Sequence, residues 1–460
     1  MGISKKNLLD AVREWSRAHH TTPEFAPGES HVPYAGRVFD EEEVVAAASS
    51  VLDFWLTLGE EGKQLEKELA AYLGTRASVL TNSGSSANLL AISALTSSKL
   101  GSQALTPGDE VITVACGFPT TVAPIVQCGC VPVFVDVDPC TLAPNLNDIE
   151  DALSDRTRAV FIAHALGNPF DAAAVAELAH KYGLWFIEDN CDALGGTLGG
   201  RYTGTFGHLS TQSFYPPHHI TMGEGGAINV VKRPLLKTVL ESFRDWGRDC
   251  WCASGCDNTC GKRFDWRLGE LPDGYDHKYI YSHLGFNLKP LDVQAAIGRV
   301  QLGRISEFVE KRRDNWTFLR DALAELEDVF EFMKPIHARE YLGEGSFLVD
   351  DDKPESVPSW FGFMMLVREE APFSRREFAS FLDSKNIGNR GLFGGNLVRQ
   401  PAFVELKKNR PDAFRVHGSL LGSDRVMNEA VFVGVYPGLK AEMLEYMVSE
   451  IHQYVRSRMT

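Results

Sequence analysis

The sequence has no apolar run approaching the ~20 residues that a membrane-spanning helix requires. Its start, MGISKKNLLDAVREWSRAHH, is charged and lacks both the apolar core and the small-residue cleavage site of a secretory leader. A cytoplasmic protein is therefore expected. Basic charge is also short, with 46 Lys and Arg against 61 Asp and Glu and a net charge of -15. Both signs are mixed along the chain, so the basic stripe that nucleic-acid binders use is missing. Internal repeats and low-complexity tracts are absent. The nine cysteines are an odd number, which suits core residues or metal ligands better than a disulfide framework.

What is present is an ordinary globular composition, 44% hydrophobic and 23% charged over 460 residues. That length exceeds what one hydrophobic core usually supports. The expected division is an N-terminal helical extension over 1–60, a large domain over 61–300 that includes a Cys-rich insertion at 244–290, and a small C-terminal α/β domain over 301–460.

Short β-branched runs (ASVLT, EVITV, VPVFVDV, RAVFIAH, WFIED, GAINVV) alternate with helical stretches such as SANLLAISALTSSKL and DAAAVAELAHKYG. The alternation predicts an α/β fold with a mostly parallel sheet covered by helices. Such sheets bind ligands beyond the carboxyl ends of their strands. The segments there are 82–88, 116–121 and 188–194, joined by a Gly-rich stretch at 213–226.

Each segment has a chemical and a plain structural reading. Asn82-Ser83-Gly84-Ser85-Ser86 can cradle a phosphate at a helix start, or simply cap that helix. Asp189 ends the apolar run LWFI, where a carboxylate needs a cationic partner, or it is a helix cap. Arg390 and Arg399 in NRGLFGGNLVRQP can clamp a diphosphate, or form surface ion pairs.

The segment SFYPPHHITMGEGG resembles the DegT/StrS family of sugar aminotransferases, in which Ser-Phe is followed after three residues by a lysine and then by Gly-Glu-Gly-Gly. WLTLG, NSGSSANLLA, IEDNCDALGG and GFNLKPLDVQAAIGRVQL extend the resemblance over most of the chain. It implies fold type I of the pyridoxal-phosphate enzymes and a homodimer. It also implies that Gly84, Ser85 and Ser213 hold the phosphate, Phe118 stacks on the ring, Asp189 pairs with the pyridine nitrogen, and Asn287 reaches the phosphate of the other subunit.

His218 stands where the family has its lysine. Without an ε-amine the expected cofactor is pyridoxamine phosphate, held non-covalently, with His218 as the base. His219 is a helper at the substrate or is merely packed. Asp192 and Tyr215 replace the Gln and His usual in the aminotransferases and are expected near the cofactor.

Cys191, Cys250, Cys252 and Cys260 are separated by 58, 1 and 7 residues. This spacing is similar to that of the nucleotide-sugar 3-dehydrases that act on CDP-linked 6-deoxyhexuloses in dideoxysugar biosynthesis, with the long gap one residue longer. The resemblance implies a [2Fe–2S] cluster on these four thiolates, fed by a partner reductase or a ferredoxin. Cys256 in place of Cys191, and zinc in place of iron, remain open. Cys116, Cys128, Cys130 and Cys140 read as core. The expected activity is removal of the C3 hydroxyl of a nucleotide-linked 4-keto-6-deoxyhexose, with CDP favoured over dTDP. The alternatives are an aminotransferase using Lys232 or Lys289, and an inactive relative that binds a sugar nucleotide or zinc.

Overall fold

The computed structural model of the chain describes residues 3–21 and 23–459, so residues 1, 2, 22 and 460 of the expected outer spans lie outside the described residues. Its centre is an eight-stranded sheet. In spatial order the strands are Ala77–Thr81, Gly226–Val230, Leu209–Ser213, Trp185–Asp189, Thr157–Ala163, Glu110–Val114, Val131–Val135 and Arg415–Val416. Gly226–Val230 alone runs opposite in direction to the other strands of this sheet.

Each β-branched run of the sequence forms a strand, and Glu110–Val114, Trp185–Asp189 and Gly226–Val230 are buried throughout. Burial on both faces is what continuous apolar runs predict for parallel strands. Helices Gly84–Leu95, Pro119–Gln127 and Ala172–Lys181 connect and cover them. The helical run after residue 290 divides at Arg304 into Asp292–Gly303 and Ile305–Ala322.

A smaller antiparallel sheet of Phe330–Phe332, Gly362–Val367, Ala430–Gly434 and Asn389–Arg390 packs with Arg375–Ser384 and Ala441–Met459. The boundaries expected from sequence are crossed at several places. Arg415–Val416 pairs in parallel with Val131–Val135 of the large sheet, and Val32 bridges Ile387. One hydrophobic core accordingly runs from Ile112 and Phe186 to Phe363 and Phe432.

The consequence for function is positional. Asp189 and Ser213 end adjacent parallel strands, while Gly84 and Pro119 open helices at the same edge of the sheet. The 82–88, 116–121, 188–194 and 213–226 segments thus meet in one place.

Candidate active site

A cavity of about 350 Å³ lies at that edge. Its walls include Gly84, Ser85, Phe118, Asp189, Cys191, Asp192, Ser213, Tyr215, His218 and Arg390. The small sheet and the N-terminal segment close it with Phe361, Phe393, Phe432 and Tyr34.

Successive strand residues face opposite ways, and Glu188 and Asp189 use this. Glu188 turns into the interior, where it meets His164 Nε2 at 3.0 Å and accepts the backbone N–H groups of Gly204, Phe206 and Gly207. Asp189 turns into the cavity. Its Oδ2 accepts from Asn88 Nδ2 at 2.8 Å and Thr121 Oγ1 at 2.7 Å, and its Oδ1 accepts the Cys191 N–H at 3.2 Å.

Asp189 is 5% exposed, yet among the described residues no cationic side chain lies within ion-pair distance of it. A buried carboxylate without a cation is costly. A protonated pyridine nitrogen relieves that cost, so the site fits pyridoxamine phosphate or pyridoxal phosphate on this count. It also fits at the phosphate end. Gly84 opens its helix against Ser213, and a Cβ there would stand 2.5 Å from Ser213 Cβ. The bare glycine leaves the Ser213 hydroxyl beside the helix start, where free N–H groups and the helix dipole favour an anion.

His218 forms the opposite wall. Its Nδ1 lies 3.4 Å from Asp192 Oδ1 without hydrogen-bond alignment and has no hydrogen-bond partner. Burial, with the Arg312 charge adding to it, pushes the imidazole down to about 3, so the ring is neutral. Burial and the neighbouring Asp189 push Asp192 up to about 7. The cavity thus pairs a neutral base with a carboxylate that titrates near neutrality.

Residues 38–452 match the DegT/DnrJ/EryC1/StrS aminotransferase family. The chain belongs to this family. It is 48% identical over 98% of its length to the lipopolysaccharide biosynthesis protein RfbH of Salmonella typhimurium, covering 98% of that protein. It is 46% identical over 98% of its length to the dTDP-4-dehydro-2,6-dideoxy-D-glucose 3-dehydratase of Saccharopolyspora spinosa, covering 92% of that protein. Among solved structures, GDP-4-keto-6-deoxy-D-mannose-3-dehydratase of Escherichia coli with bound hydrated PLP superposes with a TM-score of 0.78 at 26% identity, covering 92% of this chain and 99% of that one. The aminotransferase-like α/β fold is thereby shown, with its mostly parallel large sheet and smaller antiparallel one.

Against the family pattern the cavity is distinctive for what replaces the lysine. The described residues lining it include no lysine. Lys232 lies by His208 and Arg233, and Lys289 donates to Asn287 Oδ1 and Asp245 Oδ1. Asn287 is likewise outside the wall of its own chain's cavity.

Two residues that had two readings take the plain structural one. His219 is buried away from the cavity, with Nε2 on the Ser359 carbonyl at 2.9 Å, so it packs. Arg399 forms a bidentate ion pair with Asp424 at 3.1 and 2.8 Å, which uses its fork and leaves it outside the cavity. Arg390 does line the cavity, its guanidinium 4.2 Å from the Tyr34 ring centroid.

The expected four-thiolate set falls in two places. Cys191 faces the cofactor cavity beside two carboxylates, and burial raises its thiol well above the ordinary range. Cys250, Cys252 and Cys260 share the loop after Arg244 and receive N–H groups from Cys252, Thr259 and Lys262 at 3.4, 3.3 and 3.4 Å. Among the described residues, no group of three or more His, Cys, Asp or Glu is gathered to hold a metal. A cluster on Cys191, Cys250, Cys252 and Cys260 would need these side chains to be drawn together.

Tyr34, Asn88, Thr121, His164, Phe361, Phe393 and Phe432 were not legible as cavity residues. Asn88 and Thr121 carried a signal, since they lie in the 82–88 and 116–121 segments beyond the strand ends.

Proposed function

We propose that the chain is a 3-dehydratase of a nucleotide-linked 4-keto-6-deoxyhexose, working with pyridoxamine phosphate held non-covalently. The observation that carries this reading is a neutral, half-buried imidazole in a cavity whose described lining includes no lysine. The names of the 3-dehydratases of Saccharopolyspora spinosa and Escherichia coli support the substrate class. A CDP-linked sugar is the preferred substrate and a dTDP-linked one the second.

When bound, pyridoxamine phosphate supplies an amine that condenses with the 4-keto group and a ring that draws electrons from the adjacent bonds. The protein's own tasks are then limited. Gly84, Ser85 and Ser213 seat the phosphate, Asp189 holds the pyridine nitrogen protonated, and Phe118 covers the ring face. His218, neutral and lining the cavity, takes a proton. Ionised Asp192 beside Nδ1 stabilises the imidazolium, which returns the proton to the departing C3 hydroxyl. One proton is taken and one is returned, and the hydroxyl leaves as water. The reading ends at that elimination. The reductase and the electron relay expected from the cysteines would act after that step.

The test is incubation of the pyridoxamine-phosphate-loaded protein with CDP- and dTDP-4-keto-6-deoxyglucose plus a chemical reductant, followed by mass analysis for loss of the C3 oxygen. Wild type removes it, and His218→Asn does so at least ~100-fold more slowly while still binding the cofactor. Borohydride trapping of pyridoxal phosphate on any lysine would overturn the reading in favour of an aminotransferase.

A further inference from the structure

Arg312 is 1% exposed, one of the two largest fully buried side chains among the described residues. No carboxylate among those residues lies within ion-pair distance of it. Four backbone carbonyls surround it instead. Nη2 donates to Pro217 and His218 at 3.0 Å each, and Nη1 donates to Trp360 and Phe361 at 3.4 Å each. Asp192 acts on the guanidinium only through space, and burying a guanidinium whose hydrogen bonds all go to neutral carbonyls is expensive compared with an apolar side chain of similar size, which raises the question of what the arrangement does.

The two carbonyl pairs belong to the two strips of chain that build the histidine wall. Pro217 and His218 lie in the loop after Ser213, and Trp360 and Phe361 lead into the small sheet. The neighbours of Arg312 tie the same strips together. Arg313 Nε donates to the Pro358 carbonyl at 2.7 Å, and His219 Nε2 is on Ser359. Between the strips the ring of His218 lies 5.3 Å from that of Phe361, and both line the cavity.

We propose that Arg312 is a positioning residue for His218, bridging the Pro217–His218 and Trp360–Phe361 carbonyls so that the imidazole is held against Phe361 in the cavity wall. A planar fork with several fixed donors can span both carbonyl pairs, whereas a single ammonium reaches one of them. The inference rests on His218 being the base for its effect on rate, but the placement of the ring can be tested without turnover.

The experiment compares Arg312→Gln, Arg312→Lys and His218→Asn in the pyridoxamine-phosphate-loaded protein. The imidazole NMR signals of His218 are identified by their loss in H218N, and they are expected to move or broaden in R312Q. Turnover of the 4-keto-6-deoxyglucose nucleotides is expected to fall ~100-fold in R312Q, the loss a displaced catalytic group produces. KM and cofactor affinity stay within about threefold of wild type, because substrate binding is not what Arg312 serves. R312K falls between the two.

Unchanged His218 signals in folded R312Q overturn the proposal whatever the rate, as does a wild-type kcat. Moved signals with H218N still fully active leave the positioning role standing and remove His218 as the base. If R312Q does not fold, R312K decides alone, with a lowered kcat at unchanged KM expected and a wild-type kcat refuting.

Discussion

Asn88 donates through Nδ2 to Oδ2 of Asp189 across 2.8 Å, tying the first turns of the Gly84–Leu95 helix to the last residue of the Trp185–Asp189 strand. The carboxylate is thereby oriented but not neutralised. Asp189→Asn is expected to weaken pyridoxamine phosphate by about tenfold or more, about 1.4 kcal/mol. The cofactor-free variant should nevertheless melt above cofactor-free wild type, because it no longer buries an unpaired charge. Fluorescence titration and calorimetry of both proteins check the crossover. A lower melting temperature in the cofactor-free variant would contradict it.

The 84-to-213 contact makes a steric prediction. At Gly84→Ala the new Cβ would lie 2.5 Å from Ser213 Cβ and 2.8 Å from its Oγ, so the strand end must shift away from the helix. A loss of ~1–3 kcal/mol in stability is expected, as for overpacking elsewhere. Free phosphate and pyridoxamine phosphate should both bind more weakly, while the unphosphorylated amine is affected less.

Asp192 sets the pH dependence. Its carboxyl, pushed up to about 7 by burial and Asp189, is protonated below that pH and ionised above it. Only the ionised form supports an imidazolium at His218, so turnover should rise as pH increases through about 7. Asp192→Asn should flatten that limb and lower the rate at alkaline pH.

The same shift has a stability consequence of opposite sign. A carboxyl whose folded pKa is raised stabilises the fold while protonated, and the contribution is lost as pH rises through the folded value. The gain in thermal stability of D192N over wild type should therefore be larger at about pH 8 than at about pH 5.

How far this was legible depended on whether partners lay close in sequence. The strands with β-branched runs were readable, and with them the ends that carry Asp189 and open onto Gly84. Leu209–Ser213 was not, because LSTQS is polar; Ser210, Thr211 and Gln212 are buried polar residues with no period-2 signature. His218 was found through the motif around it, whereas Arg312, Tyr34 and Phe361 reach the same wall from segments far away and lack a local pattern. Arg399 shows the converse case, since the two readings of an arginine among glycines separate only when folding brings Asp424 to it.

The cysteines separate into two reactivity classes. Hydrogen bonds from Thr259 outweigh burial at Cys252, and the Lys262 N–H favours the thiolate at Cys260, so both are held below the ordinary thiol range. Burial pushes Cys116, Cys130 and Cys140 to about 12. In chelator-treated protein, iodoacetamide should modify Cys252 and Cys260 before Cys116, Cys130 and Cys140. Peptide mass mapping against time checks the order, and earlier labelling of any of the three buried thiols would refute it.

The pairing of Arg415–Val416 with Val131–Val135 bears on how the protein is made. The edge strand of the large sheet comes from far down the chain, so that sheet cannot close while the ribosome is still making the segment between them. The nascent sheet waits with one edge open, and such an edge is a template for pairing with other chains. Aggregation during rapid overexpression, relieved by slower synthesis, is the cellular signature of that wait.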